Sequence, residues 1–235
     1  MEKFKLFRYS LLAGLMIAIG GTVNLSVENK VVGAFLFSIG LFTVVNQQFA
    51  LFTGRVGDFK LKQPAFLIDL LIIWMGNFAA TVGVGYLLRV TRVASTLSAK
   101  AETLSQAKLN DNPLSIFVLA IFCGIIMYVA VACFRSTENP IGKYAGVFIG
   151  VPVFILCGFE HCVANMFYFS IANAWTWKTF LWLLIMTAGN AVGGLLIPVI
   201  SLTKKKKGYP YKTKRITIPS NGSNLLTKGI GLKIL

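Results

Sequence analysis

The chain has 235 residues, of which 56% are hydrophobic and 13% charged, and it carries a net charge of +15 from 23 basic and 8 acidic side chains. A soluble domain carries about 25% charged residues, so this composition, with a mean hydropathy of +0.72, excludes a soluble fold and the nucleic-acid partners that a soluble protein so basic would suggest. The basic residues stand at the edges of apolar runs, where they set topology and meet lipid headgroups.

Stretches free of Asp, Glu, Lys and Arg cover 9–27, 31–54, 70–88, 112–134, 144–159, 162–177 and 179–203. A bilayer-crossing helix needs roughly 20 apolar residues. The first run follows Lys3, Lys5 and Arg8 and is followed at once by further runs, so it reads as a span and not as a cleaved signal peptide. The second ends in ALFTGRVGD (50–58), and the third contains WMGNFAATVG (74–83). The loop 89–111 carries Arg89, Arg92, Lys100 and Lys108 against Glu102 and Asp111. Residues 144–177 are interrupted only by GFEH and would extend about 50 Å as one straight helix, against a hydrocarbon core of about 30 Å. The sixth span, 179–203, contains AGNAVGG and runs into KKKK at 204–207.

Lysine and arginine favour the cytoplasmic side. The basic N-terminus and KKKK therefore share a side, which requires an even number of crossings. Residues 144–177 then cross once, with a break near GFEH, and the chain has six spans. Arg55, Lys60 and Lys62, with Arg135 and Lys143, fall inside. The expected organisation is a transmembrane channel domain over 1–203 and a basic cytoplasmic tail over 204–235, which has no acidic residue or clear periodicity and is expected to be mobile. The protein is expected in the cell membrane, inner or plasma, as a multi-pass protein with both termini cytoplasmic.

Six spans divide into three and three, and an odd number per half inverts the second half relative to the first. VVGAFLFSIGLF (31–42) echoes YAGVFIGVPVF (144–154), each opening the middle span of its half. Each of these spans also contains or ends in a polar stretch. Broken helices at matching places in two inverted halves point to a permeation site near the midplane.

Glu160 and His161 are the only ionisable side chains between Lys143 and Lys178 apart from Tyr and Cys. A charge in the bilayer interior costs a few kcal/mol or more, so such residues face a cavity or a partner. Histidine, with an ordinary pKa of about 6.5, suits a proton-linked pathway, and a neutral imidazole can still donate one hydrogen bond. Thr53, Gly54 and Gly57 sit where the second span loosens, where a hydroxyl and irregular backbone amides could meet an anion. Asn77 and Asn190 occupy matching Gly-Asn positions in spans three and six, where asparagine bonds across helices. Asp69, early in span three, is expected at the interface or paired. Cys123, Cys133, Cys157 and Cys162 have no C-x-x-C spacing, so no metal site is expected, and no cofactor. No hydrolytic or phosphate-binding motif is present, so the chain does not read as an enzyme.

On these residues the chain resembles the formate/nitrite transporter family. GFEHCVANMF (158–167) looks like that family's fifth-helix signature, ALFTG its second-helix loop, and GNFAAT and GNAVGG its third- and sixth-helix motifs, with agreeing spacing from about residue 9 to residue 202. The resemblance implies an all-α polytopic membrane protein, aquaporin-like, with six transmembrane helices in two inverted three-helix repeats and broken second and fifth helices. It implies a homopentamer in the lipid bilayer, each protomer with its own pore for small monovalent anions such as formate, nitrite, hydrosulfide or short-chain monocarboxylates, often linked to protons. By motif position His161 would be the pore histidine, Thr53 its partner and Glu160 the acid orienting the region, with Asn165, Asn190 and Tyr128 also facing the pathway. Phe37, Leu41 and Phe154 would form the outer hydrophobic constriction, and Leu51, Phe52 and Val131 the inner one. Lys108 resembles the family's vestibule cation. Tyr128 stands where Asn is common, Ala50 where an acid often precedes L-F-T-G, Arg55 where Asn or Ser often follows it, and Asp69 where Asn is usual. An aquaporin-like neutral-solute channel is the alternative, opposed by the lack of paired N-P-A motifs. A membrane enzyme or sensor subunit would need more polar residues converging on Glu160 and His161.

Overall fold

The computed structural model describes residues 2–59 and 65–202. Lys60, Lys62 and the tail over 204–235, all expected on the cytoplasmic side, lie outside the described residues. Among the described residues the secondary structure is helical, with no strand. Helices α1 (Lys3–Ser26), α4 (Phe66–Leu88), α6 (Pro113–Ser136) and α9 (Trp177–Leu202) are long and apolar enough to cross a membrane. The other apolar segments are broken. Helix α2 (Lys30–Asn46) gives way to irregular backbone before the short α3 (Phe52–Arg55) and a 3-10 turn at Val56–Asp58. Helix α7 (Pro140–Leu156) likewise gives way before α8 (Cys162–Ile171).

Local chemistry explains the starts and the breaks. The Asn29 carboxamide accepts from the amides of Val31 and Val32 at 3.0 and 3.1 Å, and Asn139 accepts from Ile141 at 2.9 Å. Each satisfies donors that a helix N-terminus leaves free. Pro113 and Pro140 follow Asn112 and Asn139, at the first helical position where a missing N–H costs nothing. Helices α2 and α7 end in the same way, with the residue after the last turn in left-handed backbone: Gln48 at φ 55° and Gly158 at φ 71°. Glycine adopts that conformation without strain and glutamine does not.

This likeness runs through both halves of the bundle. Phe49 N donates to Val44 O at 2.9 Å, and Phe159 N to Phe154 O at 2.9 Å. Ala50 N donates to Tyr9 O at 3.2 Å, and Glu160 N to Leu119 O at 3.4 Å. The residue pairs 9/119, 29/139, 44/154, 48/158 and 50/160 keep one constant separation along the chain. Helix α1 packs on α2 and α4 as α6 packs on α7 and α9. Gly14 and Gly124 let the paired long helices approach closely: an added Cβ would stand 2.7 Å from Asn77 O at one and 2.4 Å from Asn190 O at the other. The echo between 31–42 and 144–154 is real but about one helical turn out of register, because repeated Gly and Phe at helical spacing match almost as well one turn along.

The directions of the elements are opposed. The ends of α1 (Asn24, Leu25) and α7 (Ile155) border one cavity, while the ends of α2 (Val45, Asn46) and α6 (Phe134, Arg135) border another. Lys30, at the start of α2, borders the first of these cavities and Lys143, near the start of α7, the second, so α2 and α7 run oppositely between them.

The stretch 89–111, expected as a loop, contains helix α5 (Ala94–Leu109). Leu97, Ala101 and Ser105 form one buried stripe at four-residue spacing, which packs α5 on α8 and α1. Asp69, expected at the interface or paired, forms an ion pair with Lys3. Apolar residues on the outer faces, such as Val31, Phe35 and Ile39 of α2 and Leu67 and Leu71 of α4, are exposed.

Candidate functional site

The two breaks are held by a matched pair of asparagines. In α4, Asn77 accepts from Phe52 N at 2.9 Å and donates to Ala50 O at 3.0 Å and Ser10 O at 2.8 Å. In α9, Asn190 accepts from Cys162 N at 2.8 Å and donates to Glu160 O at 2.7 Å and Ala120 O at 2.8 Å. Each carboxamide therefore grips the residues on both sides of one position, and both asparagines are fully buried. The gripped position is Leu51 in one half and His161 in the other. Asn190, expected to face the pathway, spends its polar atoms on backbone.

His161 is bonded at both ring nitrogens. Its Nδ1 accepts from the Ala164 amide at 3.1 Å, capping α8. Its Nε2 lies 2.9 Å from the hydroxyl of Thr53, near the start of α3. Because Nδ1 is an acceptor, a neutral ring carries its hydrogen on Nε2, and that hydrogen goes to Thr53 Oγ1. The Thr53 hydroxyl then keeps its own hydrogen to donate elsewhere. Both side chains are buried. The imidazole stacks on Phe154 with ring centroids 5.5 Å apart, and Phe154 meets Phe37 edge-on at 6.0 Å.

Glu160, next in the chain, turns away from Thr53 into a separate network. Lys108 Nζ donates to its two oxygens at 2.9 and 2.7 Å, and Asn165 Nδ2 donates to Oε2 at 2.6 Å. The side chains of Lys108 and Glu160 are only 15% and 4% exposed, so the pair is largely desolvated. Charges taken from water this far persist only when paired and hydrogen-bonded. Lys108 thus borders the His161 cavity as the partner of a carboxylate.

Two of the cavities flank these residues. One, of about 380 Å3, is lined by His161, Phe154, Ala164, Asn165 and residues of α1 and α5. The other, of about 490 Å3, is lined by Leu41, Leu51, Gly54, Val131 and a charged rim of Arg55, Asp58, Arg135 and Lys143. In that rim Arg135 donates to the two Asp58 oxygens at 2.9 and 3.1 Å. Thr53, Phe37 and Phe52 are buried and belong to the lining of neither cavity. Leu41, expected beside Phe37 and Phe154, lines the second cavity with Leu51 and Val131, since it lies a turn closer to the end of α2. Tyr128, expected in the pathway, lines neither cavity: its ring presses on Gly57, where an added Cβ would lie 2.5 Å from Cδ2. Sequence reasoning missed Asn24 and Tyr168, which line the His161 cavity with Lys100, a residue it had placed only among the loop charges. A lone Asn inside an apolar run was the available signal for Asn24.

A helical membrane bundle with two mirrored breaks, each aimed at a cavity, defines a membrane channel or transporter. The chain belongs to the formate/nitrite transporter family: the family's sequence profile, Formate/nitrite transporter, matches residues 1–203. It is 27% identical to the uncharacterized transporter YrhG of Bacillus subtilis over 88% of this chain and 90% of that protein. It is 28% identical to a probable formate transporter of Methanothermobacter thermautotrophicus over 82% and 85%. A pentameric formate channel solved with formate bound superposes with a TM-score of 0.75, at 23% identity, over 86% of this chain and 96% of its own, and so shares the fold.

Proposed function

We propose that the chain passes small monovalent anions, with formate the first candidate, as a homopentamer in the cell membrane with both termini cytoplasmic. The observation that carries this reading is the 2.9 Å contact between Thr53 Oγ1 and His161 Nε2, buried between two cavities. An anion leaving either cavity loses water against an apolar surface, Phe37 and Phe154 on one side and Leu41, Leu51 and Val131 on the other. The Thr53 hydroxyl, polarised by the imidazole behind it, donates its free hydrogen to the anion and compensates part of that loss. Members of the family with formate in their names, and the pentameric formate channel of the same fold, support formate and a five-fold assembly. Nitrite, hydrosulfide and short monocarboxylates share its charge and compass.

Proton linkage requires one further condition of this geometry. His161 can take a second proton only at Nδ1, which must first release the Ala164 amide. A protonated ring would then hand its Nε2 hydrogen through Thr53 to the anion, which crosses the second apolar ring as a neutral acid. Without that release the pair supplies a hydrogen bond and no proton.

The test is flux through proteoliposomes of formate, nitrite, hydrosulfide, acetate, lactate and chloride, at acidic and near-neutral pH, with His161→Asn alongside. Selective, pH-dependent flux that the substitution alters is the expected result. Identical selectivity and pH response in the variant would refute the role of His161, and passage of water or glycerol without any anion would make the protein a neutral-solute channel.

A further inference from the structure

A second polar couple faces the His161 cavity, and the mechanism above leaves it unused. Asn24, close to the end of α1, donates from Nδ2 to the hydroxyl of Tyr168 in α8 at 3.1 Å. The two line the cavity together with His161, Phe154 and Ala164. Tyr168 is 7% exposed. Its ring lies 5.8 Å from that of Phe167, and a Cβ added at Gly21 would stand 3.5 Å from its Cε1, so packing fixes the ring. The Asn24 Oδ1 lies on the side of Gly33, where an added Cβ would stand 3.1 Å away. A phenol that accepts from Asn24 still owns one hydrogen, and among the described residues no acceptor is within reach of it. A buried hydroxyl with an unspent hydrogen, held rigid at a cavity wall, is a donor waiting for a ligand.

We propose that Tyr168 and Asn24 form a second anion subsite, in the His161 cavity and ahead of the Phe37–Phe154 pair, for a monovalent anion with two oxygens, such as a carboxylate. The phenol hydrogen goes to one oxygen, and the second Nδ2 hydrogen of Asn24 is available to the other. The surrounding charge favours this. Lys30, Lys100 and Lys108 line the cavity against Glu28; Lys108 is neutralised by Glu160, and Lys100 spends one hydrogen on Val27 O at 3.2 Å. The subsite holds an anion that still has water on one side, before it meets Thr53. Weak sites in series let an ion enter without being trapped. This inference rests on the anion-pore reading and adds to it a residue that sets apparent affinity.

Tyr168→Phe removes one oxygen and keeps the ring. In proteoliposomes the formate concentration for half-maximal flux rises about tenfold in Y168F, the worth of one hydrogen bond to a charged group, while the maximal rate is retained. A packing role alone would lower the rate and leave half-saturation in place. Unchanged half-saturation overturns the proposal. Should Y168F not assemble, Asn24→Leu, which keeps the phenol ring and withdraws its partner, is held to the same criterion. Should the wild-type protein pass no anion, the pore reading fails by itself, and the subsite is judged by formate binding to solubilised protein. Binding weaker in Y168F than in wild type supports it, and equal binding, or none in wild type, overturns it.

Discussion

Replacing Asn190 with leucine tests whether the breaks are built as described. The substitution keeps side-chain bulk and removes hydrogen bonds to Glu160 O, Cys162 N and Ala120 O at 2.7, 2.8 and 2.8 Å. Ala120 lies inside α6, and its carbonyl keeps the intrahelical bond. The Glu160 carbonyl and the Cys162 amide stand on either side of His161 and have no helical partner to return to. A buried backbone group left unsatisfied costs about 1–3 kcal/mol, so the two together cost about 2–6 kcal/mol. Asn77→Leu strands the Ala50 carbonyl and the Phe52 amide in the same way and spares Ser10, so its cost falls in the same range. Denaturant titration of detergent-solubilised protein measures both losses, and amide exchange localises them. Exchange at each break accelerates only in the variant beside it. A loss below about 1 kcal/mol in either variant, or exchange rising equally at both breaks, would refute the claim that each asparagine alone holds its own break.

Other outcomes follow from the same geometry. Thr53→Val keeps shape and leaves the His161 Nε2 hydrogen without its acceptor; anion flux falls about tenfold or more, whereas Thr53→Ser stays within a few-fold of wild type, as measured in proteoliposomes. Glu160→Gln strands the largely desolvated Lys108 ammonium and lowers stability by about 3–5 kcal/mol, and adding Lys108→Met restores most of it in the same titration. Gly158→Ala meets no atom within 4 Å, so only left-handed strain opposes it and the loss is roughly 1–2 kcal/mol, while Gln48→Gly relieves strain of the same kind and gains less than about 1 kcal/mol.

Much of the fold was legible because a membrane leaves the chain few choices. The length of 144–177 against the bilayer, together with the expectation that the two basic ends share a side, located the second break at GFEH without any knowledge of packing. The Gly-Asn pairs at 76–77 and 189–190 were legible as matched helix contacts, though not as clamps on the breaks, because a carboxamide's partners depend on backbone that sequence does not orient. The register of the repeat was not legible either, since small and aromatic residues recur once per turn and several alignments score alike. Helix α5 was missed for a different reason: a stripe of Leu97, Ala101 and Ser105 is too weakly apolar to stand out beside spans of leucine and phenylalanine. With α5 went the partner of Glu160, because Lys108 is brought to it by the last turn of that helix.

The position that Asn190 brackets has a twin at Leu51, bracketed by Asn77. A molecule folded from two like halves thus carries a duplicate mount for its own chemistry, furnished with imidazole at one end and with hydrocarbon at the other. The two bracketed positions differ by a choice of side chain on a shared backbone fitting, whereas α5, with Lys100 and Lys108, adds to the lining of the His161 cavity alone. What separates the two mounts is therefore written in single residues, and Leu51→His is the substitution that would furnish both alike.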